Sequence, residues 1–129
     1  MKKIEPNGLP AFQGDTGREA RPDILADGRR LPLADGSIAA VMIDPPYTPR
    51  YAQDLYGVDY PLPSHLLAEA ARVVRPGGRI VFVHYLVPMP PPNCRFLKGF
   101  GMSTGFGFYM RGVTIFERAQ AGLFDGAVR

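Results

Sequence analysis

One cysteine, Cys94, stands among 129 residues. A single thiol cannot close an internal disulfide and leaves no cysteine-rich metal site, so Cys94 is expected to be a packing or surface thiol and no metal is expected. Long apolar runs are missing as well. No stretch reaches the roughly 20 residues that a membrane helix needs. The start, Met1-Lys2-Lys3-Ile4-Glu5-Pro6, has no apolar signal core, which makes a cytoplasmic protein the expectation. Charge of one sign is also scarce. The net charge is +3, too mild to establish nucleic-acid binding by itself, although twelve of the fifteen basic residues are arginine. Arginine suits contacts with phosphate or carboxylate.

What is present points to one domain with a real core, its apolar content of 46% being ordinary for a globular chain. Ile38-Ala39-Ala40-Val41-Met42-Ile43 reads as a buried strand that ends abruptly in Asp44-Pro45-Pro46-Tyr47. Each proline fixes its own φ and lacks an N–H, and Pro46 pushes Pro45 into an extended conformation. The result is a stiff turn with free carbonyls. A carboxylate accepts only, so Asp44 and the Pro45 carbonyl can together take both hydrogens of an exocyclic amine. Tyr47 offers a face on which an unstacked base can lie. In open α/β sheets ligands sit at this carboxyl edge.

Around that turn the chain reads in order. Residues 1–22, punctuated by proline and glycine, form an irregular arm. Asp23-Ile24-Leu25-Ala26 is a short strand candidate, followed by the Asp27-Gly28 turn and Leu31-Pro32-Leu33. After Tyr47 a loop carries Arg50, Tyr51, Tyr56 and Tyr60, aromatics interleaved with a cation that could form a stacking wall. An amphipathic helix then runs to about Arg75, capped by Ser64 and stopped by Pro76-Gly77-Gly78. Arg79 to Val87 is a near-continuous apolar run, expected to be a central parallel strand in which His84 is a hydrogen-bonded core residue. Strand, helix and strand in this order give a βαβ unit. Arg95–Met102 and Phe108–Arg118 read as a terminal antiparallel pair around Ser103-Thr104-Gly105.

Asp44-Pro45-Pro46-Tyr47 resembles the catalytic motif of the amino-methyltransferases that use S-adenosylmethionine, most familiarly the N6-adenine DNA methyltransferases. The resemblance implies catalytic roles for Asp44, Pro45, Pro46 and Tyr47, and S-adenosylmethionine as cofactor. Asp27 matches the acid that lies beside the cofactor's adenine in the wider class, so Asp27, Gly28 and Asp44 become the cofactor-side residues. Tyr47, Arg50, Tyr51 and Tyr56 become the substrate side, and nucleic acid, DNA rather than RNA, the expected partner. Gln120-Ala121-Gly122-Leu123-Phe124 is similar to peptides that dock on bacterial sliding clamps.

The implied fold is α/β, a truncated Rossmann-like methyltransferase sheet of parallel strands with a terminal antiparallel pair, over 23–118, with a tail over 119–129. The family's opening strand, glycine-rich turn, helix and second strand are not found before Asp23, and 22 residues are too few to hold them. A homodimer that pairs the edge of the Asp23–Ala26 strand could supply the missing wall. Two functions follow as expectations: methyl transfer to an exocyclic amine of a nucleobase, or a catalytically inactive relative that binds nucleic acid or a partner protein.

Overall fold

A computed structural model of the chain describes residues 24, 26–107 and 109–120, Tyr56 in its backbone only. The arm over 1–22, Asp23, Leu25 and the tail from Ala121 lie outside the described residues. Strand β1 (Ile38–Ile43) leads through the Asp44 turn into a three-residue helix, α1 (Pro49–Tyr51), which continues as one π-helical stretch over Ala52–Tyr56. Helix α2 (Pro63–Val73), β2 (Val74–His84), β3 (Cys94–Met102) and β4 (Arg111–Arg118) follow. The strands form one sheet in the order β1-β2-β4-β3. β1 and β2 are parallel, while β4 runs antiparallel to both of its neighbours.

Small apolar residues at helical spacing explain how α2 seats on the sheet. Leu67, Ala70 and Ala71 pack with Val74, Ile80, Phe82 and Phe116 in one buried cluster, against which Val41, Ile43 and Cys94 are partly buried. Cys94 is therefore a packing thiol, and burial pushes its pKa up. In β2 the residues Ile80, Phe82, Val83 and His84 are buried, as a central strand requires. Among the described residues, no helix is long and apolar enough to cross a membrane.

Several expectations change: the loop expected after Tyr47 is helical over Pro49–Tyr51 and Ala52–Tyr56, and the strand expected to reach Val87 ends at His84. Helix α2 starts at Pro63, with Leu62 as an N-cap that makes no side-chain cap bond, so Ser64 lies inside the first turn. Proline fits the first helical position because its missing N–H would be unpaired there anyway. The helix also does not stop at Pro76-Gly77-Gly78. It ends at Val73, where the Arg118 guanidinium of β4 donates to the carbonyls of Ala71, Arg72 and Val74. The Pro-Gly-Gly stretch is a bulge within β2, since β1 pairs Ile38 with Val74 and then Ala40 with Arg79. Gly77 takes φ +79°, and a Cβ on Gly78 would lie 2.7 Å from the Ala39 carbonyl, so glycine is what lets the two backbones approach.

The strand expected to be buried, β1, is a sheet edge. Met42 is 72% exposed, because among the described residues no strand pairs with its outer side. Finally, the described residues of the first strand candidate, Ile24 and Ala26, belong to no strand. An isolated bridge from Asp27 to Arg30 closes a tight turn there instead.

Candidate functional site

Because β1 and β2 are parallel, they end on the same side of the sheet, and β4 begins there, with Gly112 opposite His84. This register gathers Asp44-Pro45-Pro46-Tyr47, His84-Tyr85 and Tyr109 to Arg111 at one edge. Two cavities open on it, of about 760 and 410 Å³. Both sizes suit small-molecule sites. Asp44, Pro45 and Pro46 line both cavities, so the turn forms their common wall.

The larger cavity is lined by Asp27, Gly28, Arg29, Asp44 and Asp59 on its polar side and by Leu31, Met42, Pro61 and Leu66 on its apolar side. Asp27 takes the Arg29 side chain on both carboxylate oxygens, at 2.6 to 3.1 Å, and the Arg29 backbone N–H at 2.8 Å. These bonds hold the Asp27 carboxyl at a pKa of about 2.

Helix α2 fastens this loop from a distance. The backbone N–H of Leu31 donates to Glu69 Oε1 at 2.8 Å. Arg72 donates to the Leu31 and Leu33 carbonyls at 3.0 and 2.8 Å, to Asp35 at 2.6 Å, and to both Glu69 oxygens at 2.6 and 3.0 Å. The Arg72 guanidinium and the Leu31 N–H hold Glu69 at about 2 as well.

The smaller cavity is aromatic, lined by Tyr47, Tyr51, Leu55, Tyr85, Tyr109 and Arg111 beside the turn. The Tyr47 hydroxyl donates to Asp44 Oδ1. Its ring centroid lies 4.6 Å from that of Tyr85 and 5.2 Å from that of His84, and the Arg111 guanidinium carbon stands 5.3 Å over it. Tyr85 in turn meets Tyr51 and Tyr109 at 6.4 and 6.1 Å.

Burial and the Asp44 bond push the Tyr47 phenol well above its ordinary pKa, so it remains a donor. Behind it, His84 is buried and accepts the Leu86 N–H on Nδ1 at 3.2 Å. That bond puts the ring proton on Nε2, 3.4 Å from the Tyr60 hydroxyl. Burial lowers the His84 pKa, which keeps the ring neutral, in the place expected of a core histidine.

Of the residues singled out in the sequence, Asp27, Gly28 and Asp44 meet at the larger cavity, and Asp44, Pro45, Pro46, Tyr47 and Tyr51 meet at the smaller. Arg50 is not brought to either. Its side chain is 89% exposed and pairs with Asp54 at 3.3 Å, one helical turn on. The side chain of Tyr56 lies outside the described residues, as do Ala121 to Phe124. Tyr60 reaches His84 rather than the cavity wall. Tyr85, Tyr109 and Arg111 were not anticipated. Tyr85 follows His84 at the carboxyl end of β2, a position that could have been read from the strand; the other two need the β2–β4 register.

No family model matches the chain. In sequence it is 36% identical over 92 residues to the demethylmenaquinone methyltransferase of Beutenbergia cavernae, a match that takes in 68% of this chain. The chain spans about a third of that relative's length, 33% of it. In structure it is similar to TrmN from Thermus thermophilus, with a TM-score of 0.55 and 21% identity, over 74% of this chain and 27% of that one. The sequence likeness is thus to a methyltransferase. The fold is a Rossmann-like methyltransferase sheet, parallel at β1–β2 and closed by antiparallel β4 and β3.

Proposed function

We propose that the chain carries the transfer site of an S-adenosylmethionine-dependent methyltransferase acting on the exocyclic amine of a nucleobase, adenine in DNA foremost. One observation carries this reading: a single carboxylate, Asp44, lines two cavities of different chemistry, one acidic and apolar, the other aromatic. A reaction that joins two ligands across one group needs such a wall.

The larger cavity fits the cofactor. The carboxylate of Asp59 suits ligand hydroxyls, that of Asp27 can accept a further hydroxyl beside its Arg29 pair, and Leu31, Met42 and Leu66 suit a flat purine. S-adenosylmethionine, when bound there, supplies an electrophilic methyl group. On the other side a base lies among Tyr47, Tyr51 and Tyr85. Asp44 Oδ1 is held by the Tyr47 phenol, which leaves Oδ2 to accept one hydrogen of the target amine while the Pro45 carbonyl accepts the other. The nitrogen lone pair is thereby aimed across the turn. As the N–C bond formed the methyl–sulfur bond would break, and the surplus amine proton would leave by way of Asp44 Oδ2 to solvent, so that positioning rather than strong base chemistry carries the step.

The test has two stages. Calorimetric titration of the chain with S-adenosylmethionine should show micromolar binding. Transfer of a labelled methyl group to adenine-containing DNA should then fall by about 10²–10³-fold in Asp44→Asn, the scale of losing one preorganised polar contact, with the circular dichroism unchanged. Equal transfer by that variant would sink the mechanism. Cofactor binding without transfer to any nucleic acid would favour a non-catalytic binding module.

A further inference from the structure

We infer that Arg111 is an anion-recognition residue of the aromatic cavity, and that the ligand there is a nucleotide, a base carrying a phosphate ester, rather than a free base or nucleoside. The inference rests on the base-methylation reading and assigns to that same site a residue that selects for the phosphate. Arg111 opens β4, and the β2–β4 register sets its neighbour Gly112 opposite His84, so Arg111 lines the cavity together with Tyr85. Its guanidinium lies over the Tyr47 ring at 5.3 Å.

Among the described residues most other arginine side chains, though not those of Arg30 and Arg75, are engaged by protein acceptors. Arg29, Arg50, Arg72, Arg79 and Arg95 each meet a carboxylate within 3.3 Å. Arg118 caps α2 through backbone carbonyls. Arg111 lines the cavity with no ion pair among the described residues, and its guanidinium carries forked donors that suit an anion. The phenols around it do not compensate its charge, because Tyr47 and Tyr85 are both pushed above their ordinary pKa, Tyr47 chiefly by burial and Tyr85 chiefly by its bond with Tyr51. The one carboxylate on this wall, Asp44, is engaged by Tyr47.

A flat ring among the tyrosines therefore meets a cation that stands over the Tyr47 ring and a carboxylate at the Tyr47 hydroxyl. That polarity orders a ligand with an amine at one end and an anion at the other. A nucleotide has this form: the exocyclic amine goes to Asp44, and the phosphate takes the bidentate donors of Arg111.

The experiment is titration of the full chain with deoxyadenosine and with its 5′-monophosphate, at low and at high salt. The chain should bind the monophosphate about tenfold more tightly, the size expected for one charge-assisted contact, and salt should reduce that margin. Arg111→Gln should bind the two alike with an unchanged melting temperature. Arg50→Gln, which removes the same charge away from the cavity, should keep the preference. Equal binding by the unaltered chain, or a preference that survives Arg111→Gln, would overturn the inference and leave the base reading standing. Binding of neither ligand would overturn both.

Discussion

The two cavities that share the Asp44 turn are built from opposite materials. The wall on the Asp27 side is held by charges, with Arg72 and Glu69 on α2 gripping a loop 38 to 41 residues earlier in the chain. The wall on the other side is held by rings, Tyr47, Tyr51, Tyr85 and Tyr109 in a chain of edge and tilted contacts. Hydrogen bonds between charged groups have narrow geometric tolerance, whereas ring pairs accept several arrangements at about 0.5–1.5 kcal/mol each. The charged wall is therefore set before any ligand arrives. The ring wall can tilt to receive one.

The largest expected effect comes from cutting the charged wall. Arg72→Met removes five side-chain hydrogen bonds and leaves the Glu69 carboxylate, only 13% exposed, without its cation. Removing one partner of a buried pair costs about 3–5 kcal/mol. Arg72 is a third exposed, 34%, so solvent screening reduces that cost, and a fall in melting temperature of several degrees is expected. Cofactor affinity should fall with it, while binding of deoxyadenosine monophosphate stays within about twofold. Equal losses at both cavities would break the comparison.

Acid should separate the walls without any substitution. Glu69 has a folded-state pKa lowered to about 2 from its ordinary 4.5. A depressed carboxyl contributes stability that is present above the ordinary value and is lost as pH falls through the folded one. The chain should thus lose about 1–2 kcal/mol, discounted for partial exposure, between pH 5 and pH 2, roughly the span of those two values. Arg72→Met should lose the Glu69 part of this response and keep the part due to Asp27, whose carboxyl Arg29 holds at about 2. The phenols of the ring wall carry no matching acid response, since Tyr47 and Tyr85 are shifted upward. A variant that retained the full acid dependence would assign the loss to other carboxyls.

The same division explains what the sequence disclosed. The place of Asp44-Pro45-Pro46-Tyr47 at the sheet edge was legible because the turn directly follows one apolar strand, and the alternation of strand, helix and strand named the fold around it. Pro76-Gly77-Gly78 misled because glycine serves a helix stop and a bulge equally well; the choice was made by the closeness of the Ala39 carbonyl across the sheet. Arg50 and Arg111 make the same point for the site. Arg50 sits close in sequence to the turn but finds Asp54 one helical turn away. Arg111 is 64 positions beyond Tyr47 in the numbering and arrives only through the β2–β4 pairing. Local motifs were readable, and partners chosen by strand register were not.

The smallest effect sharpens the comparison at the shared turn itself. Tyr47 belongs to the ring wall through its π-system and to the carboxylate through its hydroxyl. Tyr47→Phe keeps the ring, and with it the contacts to Tyr85 and Arg111, but releases Asp44 Oδ1. A carboxylate free to rotate spends less time with Oδ2 toward the amine, so kcat should fall about tenfold, equivalent to about 1.4 kcal/mol, with KM unchanged. Tyr47→Ala removes the stacking face as well and should raise KM in addition. If Phe raised KM and spared kcat, the hydroxyl would act in binding the base rather than in orienting Asp44. If Phe were as damaged as Ala in both constants, the hydroxyl would have to support the ring wall too, and the two walls would not be separable at this residue.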